Sequence, residues 1–278
     1  MVPLAAFLCS PSPGWAGTLG SAQGFGVLGY AGVTSAVTNP ASQIYGNVGV
    51  TPGALSLITG FPPASITGGT TLGGGSAADQ ALIDINAAVT YLTGLGVTGS
   101  YAVNLGGLTL TPGVYSLSDA ATLLTGTLIL DAQNASNARF VFLLPSTLTT
   151  ASDSVVSVIN GNPGTEVYWV VGSSVELGSA STFEGNILAY AKIALDSTAN
   201  IECGRAFSRT ESVTLIDNNI SGNCSAENFG SGQNDFRSLG FSGGTGAETS
   251  GVPEPGTLAL LGMGLGAGSL LLRKYRPS

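Results

Sequence analysis

The chain has 278 residues, of which 8 are Lys or Arg, 16 are Asp or Glu and none is His, for a net charge of -8; 44% are apolar and only 9% charged. Without histidine there is no Ser/His/Asp triad, no Cys/His dyad and no His-ligated zinc or iron, and so acidic a chain repels phosphate, which excludes nucleic acid as a partner. Low charge with high apolar content also argues against charge-driven disorder, which leaves carboxylate chemistry or a role without chemistry, and no cofactor or metal is expected.

Residues 1–16 (MVPLAAFLCSPSPGWA) hold a short apolar run followed by Pro, Gly and a small residue. This is the layout of a secretory leader near its cleavage point, truncated at its basic start. Cys9 is expected to leave with it, and the body is expected to span residues 17–224. Within the body, VGVTPG at 48–53 returns as LTLTPGVY at 108–115. Ser76-Ala77-Ala78-Asp79 is an N-cap with an acid at the third helical position, and Leu82, Ile85, Val89 and Leu92 recur at helical spacing until Gly94 and Gly96. A helix over 76–92 is therefore predicted, with a narrow apolar stripe that lies on something rather than inside it.

The rest of the body reads as short strands broken by Gly, Pro, Asn and Asp. The runs FVFLL (140–144), VYWVV (167–171) and ILAYA (187–191) are apolar on both faces, so both faces should be covered, and the helix is the available cover. A second theme recurs at LTTAS (148–152), LGSAST (177–182) and LDSTAN (195–200), whose Leu anchors stand 29 and 18 residues apart, with Leu215 another 20 on. The turn NGNPG at 160–164 accounts for the long interval. Such a period predicts a mostly β chain coiled as a β-solenoid, with one side under the helix and another, rich in Ser and Thr, left bare. Cys203 and Cys224 form an even pair, expected as a disulfide in an exported protein, the alternative being two buried free thiols.

Residues 225–251 are rich in Gly, Ser and Asn and read as a flexible linker. At 257–272 follow 16 uncharged residues, then Arg273, Lys274 and Arg276. As a helix this run spans roughly 24 Å, usable in a bilayer with snorkelling ends, and the basic end places the C-terminus in the cytoplasm. Just ahead stand Pro253, Glu254 and Pro255. A Pro-Glu-Pro triplet, a short hydrophobic helix and an Arg-rich end, in that order over 252–278, resemble the PEP-CTERM sorting tail of Gram-negative bacteria. The resemblance implies recognition by an exosortase-type processing enzyme, a transient anchor in the inner membrane, and a body exported to the cell surface or extracellular matrix.

The body itself is similar to the bacterial and fungal ice-binding family that combines a β-solenoid with a long α-helix. The stretches that carry the likeness are FGVLGYAGVT (25–34), ITGFPP (58–63), LGGLTLTPGVY (105–115), STLTTAS (146–152), VGSS (171–174), TFEGNILA (182–189) and GRA (204–206). The resemblance implies a discontinuous, right-handed solenoid of triangular cross-section with the helix packed alongside, a monomeric body, and ice as the partner of one flat face. A short T-A/G-x-T/N pattern on the family's ice-facing side carries over to Thr150-Ala151-Ser152-Asp153, Ser179-Ala180-Ser181-Thr182 and Ser197-Thr198-Ala199-Asn200. The candidate ice-binding residues are thus Thr150, Ser152, Ser179, Ser181, Thr182, Ser197, Thr198 and Asn200. Ser stands for Thr at two first positions, Asp153 ends one copy and Thr198 fills a small-residue slot, so a moderate binder is expected.

Stacked strands repeat every ~4.8 Å, and same-face residues along a strand every ~6.7 Å. A rigid grid of that kind can hold water close to its positions in ice. Thr suits it because its hydroxyl anchors water, its methyl group discourages other arrangements, and β-branching restricts χ1. Pre-ordering lowers the entropy lost on contact. Turn hydroxyls that satisfy backbone groups are the plainer reading of each residue taken singly. Two other classes remain open to such a chain: a carboxylate enzyme acting on polysaccharide, for which Asp217, Glu184, Glu202 and Glu211 are scattered candidates, and a surface protein that binds exopolysaccharide through Trp169 and exposed Tyr. Trp169 sits in a doubly apolar strand and reads as core.

Overall fold

The computed structural model describes residues 17–101, 104–118, 121–222 and 224. All of them belong to the unit Met1–Ala247, and the tail, including the Pro-Glu-Pro triplet and the apolar run at 257–272, lies outside the described residues. The described chain is a parallel β-solenoid in which each turn visits a covered face, a short-strand face and an open face. In the turn Arg139–Leu144, Thr147–Thr150, Val155–Ile159, for instance, every strand pairs in parallel with its counterpart in the next turn, Glu166–Val171, Val175–Leu177 and Thr182–Ala189. The short-strand face is a separate seven-stranded sheet, whereas the other two faces form one sheet. They merge because Thr182–Ala189 and Asn200–Ser208 bend through the corner between them. The bend needs glycine: Gly185 has φ +108, and a Cβ on Gly204 would meet the Gly185 carbonyl oxygen at 1.9 Å.

Burial follows cover. On the open face Val155–Ile159 alternates between half-buried and buried residues, while on the covered face all six residues of Glu166–Val171 are buried. The cover is the helix Ala77–Thr93, capped by Ser76, whose Oγ accepts from the Ala78 N–H at 3.2 Å. Its buried side is Ala78, Ala81, Ile85, Ala88, Val89 and Leu92. These alanines let the helix lie close against Phe25, Leu28, Val141, Tyr168, Leu188 and Phe207. Leu82, part of the expected stripe, is only half-buried, and alanine supplies more of the contact than the leucine spacing indicated. The three doubly apolar runs are on the covered face as expected, although the third strand ends at Ala189 rather than at 191.

The interior is filled by an aromatic ladder over successive turns, in which Tyr115 stacks on Phe142 at 5.5 Å and Phe142 on Trp169 at 3.9 Å, while Phe183, from the same turn as Trp169, tilts against it at 4.9 Å. Trp169 is fully buried and its Nε1 donates to the Glu184 carbonyl at 3.1 Å. Cys203 and Cys224 are joined as a disulfide.

The solenoid is discontinuous. Phe25–Gly29, Gly32–Ser35 and Gln43–Tyr45 do not continue into the next turn of the main stack but pair with the last turn, at Ala206, Val213 and Ile220 respectively. The first turns therefore close one end of the stack, and the helix, about 25 Å long by its 17 residues, carries the chain back along the covered face towards Gly99–Tyr101, beyond which the remaining turns are laid down.

Candidate functional site

The corner between the short-strand and open faces repeats in register. Asp153 N–H donates to Ser179 O at 3.0 Å, Ala180 N–H to Ser197 O at 3.0 Å, and Thr198 N–H to Ile216 O at 3.2 Å. Asp153, Ala180, Thr198 and Asp217 all have positive φ, between 55 and 61. The structurally equivalent quartets are thus Ser152-Asp153-Ser154-Val155, Ser179-Ala180-Ser181-Thr182, Ser197-Thr198-Ala199-Asn200 and Ile216-Asp217-Asn218-Asn219. In each, the first residue sits on the corner, the second turns left-handed, the third is buried, and the fourth opens a strand with its side chain outward.

This register corrects the expected one. Thr150 pairs with Leu177, not with Ser179, and is only 3% exposed. Its Oγ1 accepts from the Gly178 N–H at 2.9 Å and donates to Ser181 Oγ at 3.3 Å. Ser181 is likewise buried and donates to the Gly178 carbonyl at 2.6 Å. Both hydroxyls therefore satisfy backbone groups inside the corner and lie on no outer surface. The other expected residues reach the surface: Ser152, Ser197 and Thr198 are exposed, and Ser179, Thr182 and Asn200 are half-buried. Thr198 Oγ1 donates to the Ser197 carbonyl at 2.6 Å.

Thr182 and Asn200 belong to a longer rank on the open face. Strand pairing aligns Thr127 with Val155, Val155 with Thr182, and Thr182 with Asn200. Beyond them Asn219 pairs with Gln43 and Gln43 with Ser65, one residue ahead of the Ile201–Ile220 pair that fixes Asn200 beside Asn219. No member carries a charge, and the steps are about 4.8 Å. Asn219, Val155, Thr127, Gln43 and Ser65 were not read from the sequence. Asn219 had a signal, since it follows Asn200 by 19 residues and its N–H donates to Asn200 Oδ1 at 2.8 Å.

The next rank inward on the open face is less uniform. Glu184 pairs with Glu202; Glu202 is exposed, whereas Glu184 is 4% exposed and its Oε2 accepts from the Val158 N–H at 2.6 Å. The short-strand face offers the rank Thr149, Glu176, Ala194, Thr214, Thr34 and Thr59. Glu176 and, near it, Lys192 are exposed there. Charged side chains impose their own hydration, and Glu176 stands within this rank, whereas the rank of Thr182 carries no charge. Among the described residues there is no cluster of ligands able to hold a metal.

The Ice-binding-like family model matches residues 27–221. The chain belongs to that family. It is 42% identical over 252 residues to an ice-binding protein of Nostoc sp. (strain HG1), covering 89% of this chain and 83% of that one. Among solved structures it is similar to an ice-binding protein from the Antarctic ascomycete Antarctomyces psychrotrophicus, with 35% identity, a TM-score of 0.66, and coverage of 76% of this chain and 100% of that one. It is also similar to one from an Antarctic biological consortium, with 32% identity, a TM-score of 0.68, and coverage of 79% and 95%. Membership places the chain outside the enzymes, and Asp217, Glu184, Glu202 and Glu211 have no catalytic part to play. Residues 251–276 match the PEP-CTERM protein-sorting motif. No helix among the described residues is long and apolar enough to cross a membrane.

Proposed function

We propose that this protein adsorbs to ice through the open face and its corner, along the outward rank Thr182, Asn200 and Asn219 and the corner serines Ser152, Ser179 and Ser197, and so inhibits ice growth and recrystallisation outside the cell. The observation that carries the reading is the in-register repetition of uncharged, small polar side chains over successive turns. Rigidity comes from below, where the aromatic ladder and the buried corner hydroxyls leave the outer side chains little freedom to relax. Exposed Asp153 and the acid at Asp217 bound the strip, consistent with moderate activity. An exopolysaccharide-binding role through Trp169 has no surface to act from, since that ring is fully buried.

The sorting motif supports export, with the tail held in the inner membrane through 257–272 until an exosortase-type enzyme cuts it and the monomeric body, its disulfide formed, reaches the cell surface or matrix. The deciding experiment is growth of a single ice crystal in a dilute solution of the fluorescently labelled body, residues 17–224. Incorporation on defined planes, with faceting and a gap between melting and growth temperatures, is the expected result. Exclusion of well-folded protein from the ice would overturn the reading.

A further inference from the structure

Beside the C-terminal half of the helix, where the covered face turns into the short-strand face, lies a groove of about 440 Å³. Val89 and Thr93 of the helix form one wall and Leu143, Leu144, Val170 and Val171 the floor. It is on a different edge of the solenoid from Thr182. The groove is open because its corner there carries Pro145 and Gly172, the latter held to glycine by a Pro145 carbonyl oxygen 2.4 Å from where a Cβ would sit. Towards the seam the corner fills again: the register that pairs Ala189 with Ser208 sets Tyr190 beside Arg209, and Arg209 closes the groove's end.

Arg209 is incompletely satisfied. Its Nη1 donates to Asn86 Oδ1 at 3.1 Å and its guanidinium lies 5.5 Å over the Tyr190 ring. Its Nε is buried and has no acceptor. Among the described residues no carboxylate forms an ion pair with Arg209. A half-buried cation with an orphaned donor is unfavourable, and the burial works against its charged form. An anionic oxygen at the groove's end would offset the unpaired charge, and apolar walls with a few placed polar groups are what ligand pockets of about 300–1,000 Å³ have in common.

We propose that this groove binds a single-chain anionic amphiphile, a medium- or long-chain carboxylate, with its head on Arg209 and its alkyl chain along Val170 and Leu143. The test is calorimetric titration of residues 17–224 with octanoate and with 1-octanol; that this portion stands alone is supported by the solved relative it matches over 100% of its length. Octanoate should bind saturably and about tenfold tighter than octanol, a preference of roughly 1.4 kcal/mol. Arg209→Gln should erase the preference, Arg209→Lys should keep part of it, and Thr93→Trp, which fills the groove from an exposed helix position, should block both ligands. Absence of saturable octanoate binding, equal affinity for the two, or a preference that survives Arg209→Gln would overturn the proposal. So would binding to vesicles of anionic phospholipid without binding to octanoate. If Arg209→Gln fails to fold by circular dichroism, Thr93→Trp decides alone: octanoate binding that survives it overturns the proposal.

Discussion

Thr182 is the residue on which the proposed ice face is best tested. It opens a strand, its N–H is held by the Ser154 carbonyl at 2.9 Å, and its side chain stands in line with Val155 and Asn200 on an outer surface. Thr182→Tyr puts a ring through that line without disturbing the interior, so ice activity should fall to that of buffer while stability changes by less than about 0.5 kcal/mol, the usual range for surface substitutions. Thr34→Tyr is the matching change on the short-strand face, where Thr59 Oγ1 donates to Thr34 Oγ1 at 3.1 Å, and it should leave ice activity intact. Thermal hysteresis of the two variants checks this, and the opposite pattern would move the binding surface to the short-strand face. The sequence indicated the neighbourhood of this residue but misjudged one copy of the pattern. Leu148 looked like the counterpart of Leu177, yet Leu177 pairs with Thr150, and only the backbone ladder reveals the two-residue offset that makes Ser152-Asp153-Ser154-Val155 the true repeat.

At the scale of the element, the helix was the most legible part, because an N-cap, an acid in the first turn and a helical apolar spacing coincide in one stretch. What the spacing could not show is how the helix is tied down. Asp79 accepts from the Thr51 hydroxyl and from the Gly75 N–H, which together hold its carboxyl below the ordinary carboxylate range. For Asp84, partial burial pushes its pKa upward, but the Ser21 hydroxyl at 2.6 Å, the Ser21 N–H at 2.7 Å and Gln80 at 2.8 Å outweigh it, and the net shift is downward. A carboxyl depressed in the folded state contributes stability that is fully present above its unfolded pKa of about 3.9 and is lost as pH falls through the lower folded value. Melting temperature should therefore be flat from neutral pH down to about pH 5 and drop below about pH 4. Asp84→Asn should lower it at pH 7 and make little difference at pH 2, where the wild-type carboxyl is already protonated. Thermal melts of both proteins across that range check the sign, and an equal penalty at both pH values would mean that Asp84 acts by packing rather than by charge.

On the scale of the whole molecule, the feature that no local pattern announces is the seam where the last turn meets the first. Ser42 and Asn218 lie 176 positions apart, and the Asn218 N–H donates to Ser42 Oγ at 3.1 Å while the Gln43 N–H donates to the Asn218 carbonyl at 2.8 Å. Periodicity finds turns but not the order in which they stack, so residues this distant give no sign of being neighbours. The seam matters to the proposed function because the outward rank crosses it from Asn219 to Gln43, and an open seam would cut Gln43 and Ser65 off from the rest of that rank. Asn218 is 2% exposed, and its Nδ2 donates to the Asp196 carbonyl at 2.7 Å and the Ala199 carbonyl at 2.8 Å. Asn218→Leu strands the Ala199 carbonyl and the Ile216 N–H that donates to Asn218 Oδ1, while the Asp196 carbonyl keeps the Ala199 N–H; each unpaired buried group costs about 1–3 kcal/mol. The expected loss is about 2–4 kcal/mol in urea unfolding. Ice activity per folded molecule should fall as well, because the turns on either side no longer keep step. A loss under about 0.5 kcal/mol, within the range of surface changes, would mean that the backbone ladder between Gln43–Tyr45 and Asn219–Ile220 holds the seam without the asparagine.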